Sequence, residues 1–537
     1  MKHLLLFFLL ISTAFIHAAA RPNVLFISAY DLSELPSFDS HGMDLHEIQN
    51  SEIHPENDKI RKKTATQPKA DSAKAWSVKT VYMANGIKIG DVDQDSAIIW
   101  TRLTRAPERN RSGNEFIDLG KKRSDLPYTD GMEQIPTGLD LADMEGAVPG
   151  TSGEVLVTYW PTEEPLAKNS TGWQSVSSKH NYTHQFKLEG LRPYTEYQLR
   201  VVGRSSDASQ PSEPLMGRFI TAPTADAVET IRAAIVTCGD YTRRDDAENG
   251  FKIYKAISEQ IKPQFFVHTG DIEYYDRWDL WAMSAPLARF KMNRVYSMPY
   301  ARMLHNSVSS YFMKDDHDIT KNDAYPGVDF RELTWEQGLE IFDEQFPIGE
   351  LPYRTVRWGK DLQVWFMEGR NYRSPNDAPD GPEKTIWGAV QKQWFYDTVA
   401  ESDATFKLVV SPTPIVGPDR LHNKADNHAN AAFSHEGNEI RTFISEQPNM
   451  FVANGDRHWQ YYSIDDETGV REFSVGPHSN KHAAGYSMEK RTSEHQFLRI
   501  NGGFLVVEVT REEGSPTISF KHYDVDGMVV NDEVFTD

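Results

Sequence analysis

One cysteine stands in 537 residues, at position 238. No intrachain disulfide can form, so a disulfide-stapled scaffold is excluded and the fold must rest on buried apolar surface. Basic tracts are also missing. Asp and Glu number 78 against 57 Lys and Arg, a formal net charge of -21. Such a surface repels duplex nucleic acid and anionic membranes, so no specific nucleic-acid partner is expected. Past the N-terminus there is no run of about 18 apolar residues, the length a spanning helix requires. Glycine (34) and proline (29) are not in excess, which excludes collagen-like and low-complexity chains.

What is present describes a globular protein of two or three domains, with 39% hydrophobic and 25% charged residues. Residues 1–20, MKHLLLFFLLISTAFIHAAA, join a short positive start, an apolar core from Leu4 to Ile16 and the small residues Ala18-Ala19-Ala20. This is the pattern of a signal peptide with the mature chain starting near Arg21, a retained anchor being the alternative. Export to the periplasm or the extracellular space is expected. In such a compartment a lone thiol is either buried and inert or held by a metal.

RPNVLFISAYDL at 21–32 resembles the opening strand of the type I sulfatases, with Tyr30 where the first metal-binding acid would stand and only Asp31 remaining. Cys238 is followed by Gly-Asp-Tyr, and the nucleophile pattern x-Pro-x-Arg after a cysteine or serine is not found, so the stretch reads as a strand without sulfatase chemistry. The segment 21–77 is a polar arm or linker. Residues 78–222 read as an all-β sandwich, and HQFKLEGLRPYTEYQLRVVG is characteristic of fibronectin-type domains, with Tyr197, Leu199 and Val201 alternating toward one face. A polar insertion from about 104 to 150 interrupts it. From 230 to 537 the rhythm changes to strands alternating with helices, such as the amphipathic GFKIYKAISEQI, which implies an α/β layer architecture.

Four motifs in this second part share one arrangement, an apolar strand followed at once by metal-capable residues. They are IVTC at Cys238, FVHTGDIEYYD at Asp271, FMKDDHD at Asp316–Asp318 and FVANGDRHW at Asp456–His458. Strand ends fix the backbone, and the loops beyond turn side chains over one rim. The set resembles the alkaline phosphatase D (PhoD-like) family of metallophosphoesterases over about residues 78–505. Cys238 stands where that family places a thiolate, Asp271 and Tyr274 match Gly-Asp-x-x-Tyr, and Gly455-Asp456-x-His458 matches Gly-Asp-x-His. Asp315-Asp316-His317-Asp318 with Asn322 matches Asp-Asp-His-Glu…Asn, with Asp for Glu at 318.

The resemblance implies a four-layer metallophosphoesterase β-sandwich flanked by helices, α/β (α+β) in class, preceded by the small all-β domain. It also implies a mixed Fe(III) and Ca(2+) centre, since thiolate and phenolate suit a ferric ion and carboxylates suit calcium. Spacing alone allows Zn(2+) or Mn(2+). Cys238 and Tyr274 are assigned to iron with Asp271 bridging. Asp456 and His458 complete the cluster, and Asp316 or Asn322 serves calcium. Asp271, Asp456 and His317 are the expected catalytic residues. His317 steadies the phosphoryl group or protonates the leaving oxygen, and metal-bound hydroxide is the nucleophile.

Arg370 and Arg373, beyond the strand VWFMEG, are candidates for substrate oxygens or for pairing with acids. His268, inside FFVHTG, is expected to pack or to support the ligands. Ser411 and Thr413 stand where purple acid phosphatases have a histidine, which fits the D-type branch. The loop DNHANAAFSHEGNE at 426–439 replaces a Trp-x-Gly-Tyr stretch, and its Asn427, His428, Asn430 and His435 are candidate pocket residues. The reading is hydrolysis of a small anionic ester, a phosphate mono- or diester. Sulfate ester hydrolysis by the same centre and a non-enzymatic binding protein are the alternatives.

Overall fold

A computed structural model describes residues 80–120, 130–205, 210–420 and 424–537. The expected signal peptide, the polar arm and the sulfatase-like strand lie outside the described residues.

The N-terminal part contributes β1 (Ile87–Gly90), β2 (Ser96–Arg102), β3 (Gly153–Pro161), β4 (Asn169–Ser170), β5 (Gln174–Val176), β6 (Thr183–Glu189), β7 (Glu196–Arg204) and β8 (Leu215–Ile220). Strands β1, β2 and β6 pack against a second sheet of β4-β3-β7-β8, with β5 on β3. Ile87, Ile89, Ile99 and Phe186 from one side meet Val155, Val157, Leu199 and Val201 from the other. This is a β-sandwich, built by period-2 alternation on both faces. At the turn from β6 to β7, the Tyr197 hydroxyl accepts the Arg192 N–H at 2.9 Å and pins the crossover between sheets.

The rest of the chain supplies β9 (Ile231–Val236), β10 (Phe265–His268), β11 (Ser309–Phe312), β12 (Arg354–Trp358), β13 (Leu362–Phe366), β14 (Phe406–Ser411), β15 (Met450–Asn454), β16 (Gln460–Ile464), β17 (Arg471–Val475), β18 (His495–Arg499), β19 (Gly503–Glu512), β20 (Ser515–Asp524) and β21 (Val529–Thr536). They form a seven-stranded sheet, β12-β13-β14-β15-β17-β16-β18, and most of a nine-stranded one, β21-β20-β19-β9-β10-β11-β1-β2-β6. The last three strands of the larger sheet come from the sandwich. β1 pairs in parallel with β11, Ile89 opposite Ser309 and Gly90 opposite Ser310. The two parts of the chain therefore share one hydrogen-bonded sheet.

Three cores stack the layers. Ile235, Val267 and Tyr311 point from the nine-stranded sheet toward Val364, Leu408 and Phe473 of the seven-stranded one. On the far side of the first sheet, Val236, Phe266 and Phe312 meet the helices α1 (Lys252–Ala256), α2 (Ala285–Tyr296), α3 (Pro299–His305) and α4 (Trp335–Gln345). On the far side of the second, Trp365, Val409 and Val452 meet α5 (Gly388–Ala400) and α6 (Ser434–Ser445). Because successive strand residues face opposite ways, these apolar runs bury both faces, and the order helix, sheet, sheet, helix follows. The expected helix in GFKIYKAISEQI is α1, continued by a π-helical turn at Ile257–Ile261. Among the described residues no helix is long and apolar enough to cross a membrane.

Candidate metal centre

All four motifs come to one rim. β9 ends two residues before Cys238, β10 three before Asp271, β11 three before Asp315 and β15 two before Asp456. Cys238, Asp271 and Asp456 have φ of 57°, 54° and 61°. This left-handed region costs a side-chain-bearing residue about 1–2 kcal/mol. Hydrogen bonds between the loops hold it. Cys238 donates its N–H to Gly270 O at 3.2 Å, and Gly239 donates to Asp271 O at 2.7 Å. Asp271 donates to Asp318 Oδ2 at 2.7 Å, and Asp456 donates to Thr237 Oγ1 at 3.2 Å. The loops touch where glycine permits it. A Cβ on Gly455 would lie 2.2 Å from Thr269 Oγ1, 2.6 Å from Thr237 Oγ1 and 2.8 Å from Pro412 O.

Asp271 is the hub. Its Oδ2 lies 3.6 Å from Cys238 Sγ and accepts the Tyr274 hydroxyl at 2.9 Å, and that hydroxyl lies 2.9 Å from His458 Nε2. Among the described residues, three donor sets have ligand atoms within 4.8 Å of one another: Cys238, Asp271 and His458; Asp271, Asp316 and His317; Asp271, Asp315 and Asp456. Asp271 belongs to each, as a bridging ligand would.

The electrostatics ask for a cation. Burial, then the charges of Asp316, Asp315 and Asp456, push Asp271 well above the carboxylate range against the pull of His317. Burial raises Asp315 to about 8 although Arg370 opposes it. Burial followed by neighbouring acids also raises Cys238 and Tyr274, while burial holds His458 neutral, the form that binds metals. Asp271 Oδ1 and Asp315 Oδ2 are buried without a hydrogen-bond partner. Orphan carboxylate oxygens beside a thiol, a phenol and an imidazole fit a metal centre, because a cation would satisfy the orphans and relieve the repulsion.

His317 Nδ1 lies 2.6 Å from Asp276 Oδ1, and its ring lies 4.2 Å from that of Tyr274. Asp276 thus fixes the ring and leaves Nε2 for chemistry. Asp318, which stands for the expected glutamate, accepts the N–H groups of Asp271, Ile272, Glu273 and Asp315 at 2.7–3.3 Å. It joins the second and third motifs.

The other candidates have protein partners. Arg370 Nε bonds Asp315, its Nη2 lies 3.7 Å from Asp316 Oδ2, and its Nη1 donates to Ala324 O at 3.2 Å. Arg373 bonds Asp426 O and Asn376 Oδ1. Both arginines are buried. Asn322 is exposed and gives its backbone N–H to Asp276 Oδ2 at 2.9 Å. Asn427 donates to Asp419 and Asp426, and Asn430 donates to Asp426. His428 lies 2.9 Å from Glu436, buried against Trp387, while His435 is exposed on α6. Ser411 donates to Thr413 O. His268 is buried, its titration lowered to about 3 by burial.

Several residues of the centre escaped the sequence reading. Arg457, the variable position of Gly-Asp-x-His, is buried among Asp419, Asp426 and Asp456. The His482 ring lies 4.1 Å from that of His458, tilted by 45°, and its Nδ1 lies 3.2 Å from Cys238 O. Asp276 lies inside the quoted FVHTGDIEYYD, where its distance from Tyr274 was the available signal.

This fold and centre define a metal-dependent phosphoesterase-type hydrolase in general terms. The family model for the PhoD-like phosphatase matches residues 233–526, and that for the PhoD-like phosphatase N-terminal domain matches 69–223. The chain belongs to the PhoD-like phosphatase family. A solved structure described as PhoD superposes with a TM-score of 0.63 at 16% identity, covering 87% of this chain and 90% of the other. Purple acid phosphatase PPD1 from yellow lupin (Lupinus luteus) seeds gives 0.58 at 12% identity, covering 85% and 74%. At such identities these likenesses speak for the fold. No curated protein matches the sequence.

Proposed function

We propose that the protein hydrolyses phosphate mono- or diesters outside the cytoplasm, with iron(III) and calcium at the centre described above. The single observation that supports this best is the convergence of Cys238, Tyr274, His458 and the acids of two further loops on Asp271, with a buried carboxylate oxygen left unpartnered. Cys238 and Tyr274 would hold iron, Asp271 would bridge, Asp456 and His458 would complete the set, and Asp316 or Asn322 would hold calcium. Bound metals would make water nucleophilic near neutral pH and offset charge on the phosphoryl oxygens. His317, oriented by Asp276, donates a proton at Nε2 to the leaving alcohol oxygen as the P–O bond breaks. Arg370 holds Asp315 and Asp316 in place rather than reaching substrate. Export rests on the composition of residues 1–20.

Elemental analysis of the purified protein beside a Cys238→Ser variant tests this. Iron with calcium is expected in the wild type, and loss of the iron in the variant. Absence of stoichiometric metal, or a variant that keeps it all, overturns the assignment. Matched phosphate and sulfate esters then test the chemistry, and turnover of the sulfate alone would reject phosphate.

A further inference from the structure

The loop that carries Cys238 continues through Asp240 to Arg243, and the loop that carries Tyr274 and Asp276 continues to Arg277. Both guanidinium groups approach one oxygen of one buried acid. Arg243 Nε lies 3.3 Å and Arg277 Nε 3.0 Å from Asp240 Oδ2. The other oxygen is taken by Thr242, from its N–H at 2.9 Å and its hydroxyl at 2.6 Å. Two cations therefore face one anion, and the surplus positive charge stays partly in solvent, with the side chains 29% and 22% exposed.

Their donors are not spent on Asp240. Arg277 Nε and Asp240 Oδ2 are buried atoms without an aligned hydrogen bond. Like charges held together weaken each other. Burial first, and then the charge of Arg277, hold Arg243 below the ordinary arginine range. A third loop ties this pair to the centre. Ser479 donates to Arg243 O at 2.6 Å, and Lys481 donates to Arg244 O at 3.1 Å. Between this anchor and Ala484, whose N–H goes to His458 O at 3.2 Å, lies His482, in ring contact with His458. The arginines thus stand beside the centre on the two loops that supply Cys238, Asp271 and Tyr274.

Resting on the phosphoesterase reading above, we infer that Arg243 and Arg277 form an anion subsite that receives a second negatively charged group of the substrate. The favoured substrates are then phosphate esters that carry a carboxylate or another phosphate besides the one cleaved. A planar fork of N–H donors suits either group, and two such forks side by side add their charges toward one anion.

The test uses the metal-loaded full chain and two non-hydrolysable probes, phosphonoacetate and ethylphosphonate, which differ by one carboxylate. The readout is the ratio of their affinities by calorimetry. The wild type is expected to bind phosphonoacetate at least tenfold more tightly. Arg243→Gln and Arg277→Gln should each reduce that ratio at least threefold, each leaving one arginine to pair Asp240, and Arg277→Lys should retain part of it. A wild-type ratio near one, or a ratio unchanged in both Gln variants, overturns the subsite. Kinetics with phosphoglycerate against glycerol phosphate separate the two proposals. Turnover of both without preference rejects the subsite alone, whereas an affinity ratio that depends on the arginines without turnover of any ester rejects the phosphoesterase reading alone.

Discussion

Asp318 and Asp271 are buried carboxylates in one pair of loops, linked by the Asp271 N–H bond to Asp318, and they are treated in opposite ways. Asp318 accepts four backbone N–H groups, from two motifs. Glu472, in the neighbouring sheet, is satisfied likewise by the N–H groups of Ile415, Val416 and Gly417 and by the Tyr461 hydroxyl at 2.7 Å. Asp271 has a buried oxygen with no partner, faces other acids and sits on strained backbone. A carboxylate that the protein itself satisfies organises loops. One that it leaves wanting marks where something else must bind.

The sharpest way to break this contrast is Asp271→Asn. Activity on phosphate esters should fall by about 10^3-fold or more, with loss of metal by elemental analysis, while the melting temperature of the metal-free protein stays equal or rises. A large drop in metal-free stability would make Asp271 a structural acid after all. Next comes Asp318→Ala, expected to cost about 3 kcal/mol in denaturant unfolding, with or without metal, because buried donors are orphaned.

A pH series gives a smaller effect. The raised acids, Asp271, Asp315 and Asp456, favour the protonated form in the fold. Their stabilising contribution is therefore complete below the ordinary carboxylate value of about 4 and is lost as pH rises toward the Asp315 value of about 8. The metal-free protein should melt a few degrees lower at the alkaline end of this window than at the acid end, and metal should remove that slope. An equal slope with metal bound would place its origin elsewhere. Smallest is Glu472→Gln, which should cost about 1–2 kcal/mol and leave activity unchanged in an ester hydrolysis assay.

Much of the cluster was legible because its metal-capable side chains follow strands directly. An apolar run ending at Cys238, Asp271 or Asp456 announces both the strand and the rim. The four-layer order was legible through the family resemblance, and the cores show its physical basis in strands apolar on both faces. What stayed hidden were partnerships across distant loops. The anchoring of four amides by Asp318, the hold of Arg457 on three acids and the pairing of Arg370 with Asp315 leave no local periodicity. The stretch 426–439 read as pocket lining because its Asn and His residues are polar, yet Asn427 and His428 spend those groups on Asp419, Asp426 and Glu436. The parallel pairing of β1 with β11 was likewise silent, since no hairpin turn links them.

That pairing has a consequence for how the chain comes to be folded. Ser309 follows its partner Ile89 by 220 residues. At a synthesis rate of about 5–20 residues per second, β1 waits roughly ten to forty seconds for its neighbour. During that interval the N-terminal sandwich has an open parallel edge, and it cannot reach its final cooperativity as an independent unit. A fragment ending near residue 223 is expected to be prone to self-association through that edge, so the sandwich is best understood as three strands of a nine-stranded sheet awaiting completion.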